Sequence, residues 1–417
     1  MQEEQPQLDA IVSTAEDLLS KRLGGVQKLK DVTRLSGSGS AVVARAKVAP
    51  SPFLQARSVV IKHVPETEEL IDASMFMREV IAYQFTTSLN ADVRPGPVLL
   101  AYDVDAHIIV ISDSGDGDTF AELLSTSKEA LRTEILRNLG ESLGKMHAGT
   151  ATKEQHFDIL LRRMLQKHPE IQHMHSFREH LLGLSIEVGM KIVAQAGIAV
   201  PEIVAEMAAE SKRRLIRGQH RAFTPFDLSP DNIIVSESTH FLDYEWAGFR
   251  DVTFDIACVI AGFPQFLSSR PISDDEADTL IDAWVDEVGD LWPNVRNHQR
   301  LQARILIALV GWAFSSLAMM HIGSMTTAFG DLYQLAQDEG LKAIDADAVL
   351  GMLEHYQFNI LQEAIDGHED YDLIRQDLYE TFESVQRFAL RNADYRFPVV
   401  GEFAGAVVEA LRVDRRG

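Results

Sequence analysis

The sequence predicts a mixed α+β chain in which a small strand-rich part precedes a larger helical part. Three observations carry this. Short β-branched runs separated by Gly- and Pro-containing turns crowd residues 26–112, and such runs read as strands. From Thr119 onward apolar residues recur at helical spacing instead. One stretch, Phe223 to Trp246, interrupts those helices with a polar loop and two short apolar runs. Apolar residues make up 46% of the 417-residue chain, which suits a packed protein rather than a disordered one.

Taken in order, residues 8–22 carry apolar positions at Leu8, Ile11, Val12, Ala15, Leu18 and Leu19, the pattern of an amphipathic helix. Val26 to Leu35 and Ala41 to Val48 read as two strands around Ser36-Gly37-Ser38-Gly39-Ser40. Gly tolerates close approach and unusual torsions, so a turn at Gly37, Ser38 and Gly39 can lay backbone N–H groups over phosphates. A dinucleotide fold would need a helix after these glycines, and a strand pattern follows instead. Ser58 to Val64 reads as a third strand carrying Lys62. Ser74 to Leu89 reads as a helix carrying Glu79. The Pro95-Gly96-Pro97 turn leads the chain into Val98 to Tyr102, and Ala106 to Ser112 then reads as a buried strand. Ser112 to Asp118 is polar and Gly-rich, does not match an EF-hand loop, and reads as a linker.

In the helical part, Leu131, Ile135, Leu139, Leu143 and Met146 mark a helix that Gly149 is positioned to end. His147 near its end reads as a cap or packing residue. Residues 151–217 are mostly helical. Further helical periods cover 276–291, 301–320, 328–365 and 371–390. The apolar run Ile305 to Met320 falls short of the roughly 20 residues that span a bilayer, so it reads as a buried core helix and no membrane span is expected. Thirty-nine basic and 62 acidic residues leave a net charge of −23. A nucleic-acid partner is therefore not expected, since basic patches would dominate such a surface, while cationic small molecules would be mildly attracted. One cysteine, Cys258, excludes an internal disulfide and fits a reducing cytoplasm. The N-terminal MQEEQPQLDA has no apolar segment of the secretory type.

The central stretch holds the chemistry. Asp227 opens the loop Leu228-Ser229-Pro230-Asp231, which ends at Asn232. Ile233 to Val235 and Phe241-Leu242 flank a polar gap and read as a β-hairpin, with Asp243 at its end. The spacing D-x-x-x-x-N, with an Asp one hairpin later, is that of a kinase catalytic loop. Phosphoryl transfer needs a carboxylate to orient the attacking hydroxyl. It also needs an amide oxygen and a second carboxylate to hold Mg²⁺, which prefers oxygen ligands.

The runs D-L-S-P-D-N-I-I-V and L-D-Y-E-W-A-G-F-R-D-V-T-F-D-I-A resemble the aminoglycoside phosphotransferase and choline kinase-like family of small-molecule kinases. The resemblance implies a two-lobed protein-kinase-like fold, with an N-lobe over 1–111, a hinge over 112–118 and a helical C-lobe over 119–417. It implies ATP and Mg²⁺ as cofactors and a hydroxyl-bearing small molecule as acceptor. Asp227 would be the catalytic base, and Asn232 and Asp243 the metal ligands. Gly37, Ser38, Gly39 and Lys62 would meet the phosphates, Glu79 would hold Lys62, and the backbone of Ser112, Asp113 and Ser114 would meet adenine. Asp255 would be structural. One departure stands out: the family usually has His-Gly before the catalytic Asp, and this chain has Pro225-Phe226. That departure motivates a second reading, a non-catalytic nucleotide-binding protein of the same fold. A protein kinase is disfavoured, because only Tyr244 to Thr253 separates Asp243 from Phe254-Asp255, too little for a long activation segment.

Overall fold

The computed structural model describes residues 4–35, 41–65, 67, 69–126, 128–236, 238–266, 270–323, 328–353, 359–362, 369–392 and 394–412. Two compact units emerge from the packing. The first comprises Met1–Asp118, Gln155–Gln172 and Ile233–Ala247, and the second comprises Thr119–Glu154, His173–Asn232 and Gly248–Gly417.

The first unit is built on a five-stranded antiparallel sheet in the order β1-β2-β3-β5-β4. Its strands are β1 (Leu29–Arg34), β2 (Val42–Val48), β3 (Ser58–His63), β4 (Leu99–Asp103) and β5 (Ile108–Ser112). Strand β1 starts later than the sequence pattern predicts. The Gln27 N–H bonds to the Ser20 hydroxyl at 2.8 Å, which ties the preceding residues to the end of helix α1 (Glu4–Leu23). Strand side chains alternate between faces, and here the alternation divides the unit. Val42, Ala46, Val48, Val59, Ile61, Ile108 and Val110 form one core with Ile11, Ala15 and Leu19 of α1. The opposite face carries Lys62. Helix α2 (Leu70–Thr87) is buried along most of its length and supplies Glu79. The predicted hairpin is present as Ile233–Val235 paired antiparallel with Thr239–Phe241.

Helices dominate the second unit. Among them, α4 (Glu129–Thr150) packs on α9 (Asp274–Val288). A buried ion pair joins these two, with Arg132 Nε 2.8 Å from Glu276 Oε1. Helix α10 (His298–Gly323) is long and apolar enough to cross a membrane by composition, but 83% of its apolar window is buried inside the protein. It packs against α7 (Glu202–Arg217), α8 (Thr253–Ile260) and α13 (Glu369–Leu390), as the core-helix reading requires. The helix expected over 328–365 is interrupted. One helix ends at Glu339, Gly340 takes a left-handed φ of 88°, and the next helix begins at Ala346. A two-stranded ladder, Arg221–Thr224 with Gly248–Asp251, is not predicted by the sequence pattern. Strands of four residues are too short for alternation to stand out from noise.

Candidate active site

Strand β3 and helix α2 bring Lys62 and Glu79 together. The Lys62 ammonium donates to both Glu79 oxygens at 2.9 Å and to Asp243 Oδ1 at 2.8 Å. An ammonium has three donors, and these contacts account for all of them. All three residues lie in the first unit. Glu79 is 2% exposed, whereas the Lys62 and Asp243 side chains keep 18% and 33% of their surface open to solvent. Burial alone would pull the Lys62 amine down. The two carboxylates outweigh it and hold the amine above its ordinary value. Burial pushes the Glu79 carboxyl up to about 7, against the pull of Lys62.

Two residues that sequence reasoning passes over complete this cluster. Tyr83 lies one helical turn beyond Glu79 on α2, and residues four apart share a face. Its buried ring meets Tyr244 edge-on, with centroids 4.9 Å apart, and its hydroxyl meets the Asp243 backbone. Asp243 itself has a left-handed φ of 59°, a conformation Asp tolerates better than most residues. The Pro95 carbonyl accepts the Phe241 N–H at 2.8 Å just before this turn. Gly96 is required there, since a Cβ would stand 2.5 Å from the Phe241 carbonyl oxygen. The signal available in sequence is the helical spacing of Glu79 and Tyr83; nothing local points to Tyr244.

Strand β5 leads into the predicted base-binding segment. The Ser112 N–H bonds to the Val98 carbonyl at 2.8 Å and the Ser112 hydroxyl accepts the Val98 N–H at 2.9 Å, so both groups serve the sheet. Asp113 Oδ1 accepts the Gly115 N–H at 3.0 Å. Gly37, Ser38 and Gly39 lie outside the described residues.

In the second unit, Asp227 and Asn232 bracket the predicted loop. Asp227 Oδ1 accepts the Ser229 N–H at 3.1 Å, an Asx-turn, and the Asn232 N–H bonds to the Ser229 carbonyl at 2.8 Å. Both side chains are half-buried, and Leu228 between them anchors the loop in the core. Phe226 occupies the position where glycine would be expected, and it adopts a left-handed φ of 69°. That conformation costs a non-glycine residue roughly 1–2 kcal/mol. Its ring is 6% exposed, stacks on Trp312 at 4.9 Å and lies under the Arg250 guanidinium at 4.6 Å. Burying such a ring contributes about 1.5–3 kcal/mol, and a desolvated cation–π contact about 2 kcal/mol more. The turn that glycine would permit is thus held here by packing.

His147 and Asp255 are both fully buried. Nε2 of His147 is 3.1 Å from Asp255 Oδ2, and its Nδ1 accepts the Trp284 indole N–H at 2.9 Å. Nδ1 is therefore the acceptor and Nε2 carries the proton. Burial pushes the Asp255 carboxyl up, against the His147 bond. This pillar joins α4, α8 and α9, and it matches the packing role read for His147.

A strand lysine paired with a helix glutamate, an antiparallel sheet with a mainly helical remainder, and a D-x-x-x-x-N loop before a hairpin Asp define a kinase-type phosphotransferase. The phosphotransferase enzyme family (APH) matches residues 76–298, just over half of the 417 residues, and the chain belongs to that family. Solved structures similar to it include choline kinase LicA from Streptococcus pneumoniae, with 14% identity, 80% of this chain and 99% of that chain covered, and a TM-score of 0.40. A choline kinase from Cryptosporidium parvum Iowa II shows 10% identity over 84% and 94% of the two chains, with a TM-score of 0.43. The gentamicin complex of the phosphotransferase APH(2")-IIa shows 11% identity over 81% and 97%, with a TM-score of 0.40. No curated protein sequence matches the chain.

Proposed function

We propose that the protein transfers the γ-phosphate of ATP to a hydroxyl of a small molecule, such as an amino sugar, an aminoglycoside or a related alcohol. The observation that supports this most strongly is the Lys62 ammonium shared between buried Glu79 and half-exposed Asp243. A buried structural ion pair has no need of a second, partly exposed carboxylate. A lysine that must present charge to phosphates does need a rigid support.

The donor set fits Mg²⁺. Asn232 and Asp243 both offer oxygen, the ligand type this ion takes, and it commonly binds through only one or two carboxylates with phosphates and water. Among the described residues there is no group of three or more His, Cys, Asp or Glu that would suit a different metal. Bound Mg-ATP supplies the transferable phosphoryl group and the divalent charge that offsets its oxygens. Lys62, held by Glu79, binds and orients the phosphates. Asp227 orients the acceptor hydroxyl and takes its proton as the new O–P bond forms and the bond to the β-phosphate breaks, releasing ADP. The net charge of −23 favours a cationic acceptor. Ser112 already spends its N–H and hydroxyl on Val98, so its carbonyl and the backbone of Asp113 and Ser114 are what this segment would offer the base.

Pro225-Phe226 in place of His-Gly is the one observation favouring a non-catalytic nucleotide binder. The packed Phe226 ring supports the catalytic reading instead, because it supplies another way to hold the turn before Asp227. The test is ADP release from Mg-ATP across a panel of hydroxyl-bearing metabolites. At least one acceptor is expected to stimulate turnover, and Asp227→Asn is expected to abolish it. Nucleotide binding without turnover on any acceptor would leave the non-catalytic reading.

A further inference from the structure

The sheet register places one more residue on the Lys62 face. Val43 pairs with Lys62 and Arg45 pairs with Val60 across β2 and β3, while Lys62 pairs with Ile109 and Val60 with Ile111 across β3 and β5. Directly opposed residues in antiparallel strands share a face, as do residues two apart on one strand. Val43, Arg45, Val60, Lys62, Ile109 and Ile111 therefore line the same side. Arg45 is thus the diagonal neighbour of Lys62, about 7–8 Å away across β2 and β3, toward the end of β5.

The Arg45 guanidinium faces the segment that follows β5 and donates hydrogen bonds to it from both terminal nitrogens. Nε lies 3.0 Å from Asp113 Oδ2, one terminal nitrogen lies 2.5 Å from Asp116 Oδ1, and the other donates to the Gly115 carbonyl at 2.8 Å. The three acceptors differ in weight. The Asp113 side chain is 8% exposed and Asp116 is 94% exposed, so the Asp116 pair contributes little. The ion pair with the nearly buried Asp113 and the hydrogen bond to the Gly115 carbonyl tie the guanidinium to the segment by charge and by geometry. From the other side the hairpin closes in. A Cβ on Gly117 would stand 2.6 Å from the Val235 carbonyl oxygen. Within the segment the Asp113 carboxylate already ties down the Gly115 N–H, but glycines at 115 and 117 leave the remaining backbone to be held from outside. Here a strand arginine and a hairpin carbonyl hold it between them.

We propose that Arg45 is the positioning residue for the nucleobase. It sets the 113–116 segment so that the backbone of Asp113 and Ser114 meets the base in one geometry, while Lys62 handles the phosphates. This rests on the reading of the first unit as the nucleotide-binding part. The consequence is a separation of the two ends of the ligand: base affinity depends on Arg45 and phosphate affinity does not.

The test is isothermal titration of the full-length protein with Mg-ATP and, separately, with magnesium tripolyphosphate, which has no base. Arg45→Ala is expected to weaken ATP binding about tenfold, the scale of one charge-assisted hydrogen bond lost, and to leave tripolyphosphate binding unchanged. Arg45→Lys keeps the charge without the planar guanidinium and its spread of donors, and is expected to recover only part of the loss. Asp113→Asn, which keeps the size and removes the charge facing Arg45, is expected to show the same split and provides the reading if Arg45→Ala folds poorly. Unchanged ATP binding in these variants, or equal weakening of both ligands, would overturn the proposal. Wild-type protein that binds neither ligand would instead remove the nucleotide reading itself, and the proposal with it.

Discussion

Two nitrogen–carboxylate clusters, one in each unit, look alike on paper and differ in one respect. Lys62 is shared between Glu79 and Asp243, and His147 bridges Asp255 and Trp284. In the second cluster the ring and the carboxylate are 0% exposed, and every bond runs between helices. In the first, Glu79 is equally hidden, but Lys62 and Asp243 retain solvent-facing surface. A closed cluster fixes the fold. A cluster with one end open has charge to lend to something else. Chemical composition does not separate them; exposure does.

The largest expected effect falls outside both clusters and calibrates the comparison. Asp227→Asn should lower kcat by about 10²–10⁴, the range for loss of a general base, with an unchanged melting curve. Normal turnover in that variant would remove Asp227 from the chemistry. Lys62→Met should lower kcat/KM by roughly 10²–10³, as for loss of a preorganised charge. Its stability should fall less than the loss of a buried ion-pair partner would suggest. Burial has already pushed the Glu79 carboxyl up to about 7, so it takes a proton readily once Lys62 is gone. A large loss of stability with activity intact would make this cluster a second pillar.

His147→Ala should do the reverse. Leaving Asp255 and the Trp284 indole unpartnered should cost on the order of 2–4 kcal/mol, read by denaturant unfolding, while kcat per folded molecule holds. Asp377 extends the comparison to a buried carboxylate with little support. It is 5% exposed, its Oδ1 accepts the Gln265 N–H at 2.9 Å, and its Oδ2 is buried with no hydrogen-bond partner among the described residues. Burial pushes it up to about 7, above the ordinary value of about 4. Between those values the folded protein holds a proton that the unfolded chain has released, so stability falls as pH rises through the window. Asp377→Asn should flatten that fall and add on the order of 1–4 kcal/mol at neutral pH. A slope unchanged in the variant would place the titration elsewhere. The smallest effect is at the turn before Asp227. Phe226→Gly should be about 1 kcal/mol more stable than Phe226→Ala, since only glycine adopts the left-handed φ freely, and both should be less stable than wild type.

Residues whose role is written in local pattern are legible in the sequence alone. Lys62 follows from a short run of β-branched residues, Glu79 from a helix after it, and Asp227 and Asn232 from their spacing. Tyr244 and Arg45 are not legible in that way. Tyr244 matters because α2 presents Tyr83 to it, and Arg45 because the segment after β5 folds back over β2. Neither partner is near in sequence. The family's His-Gly reads as the natural way to make the turn before Asp227, but Phe226 makes it with Arg250 and Trp312, 24 and 86 positions further on.

The sequence by itself determined most of the elements that form and which residues are candidates for the chemistry, because helix and strand periods and D-x-x-x-x-N spacing are short-range properties of the chain. Tertiary structure alone decided that one ammonium would answer to two carboxylates, the more distant of them 181 residues away. Contacts over such separations depend on how whole elements pack, and no local periodicity encodes them.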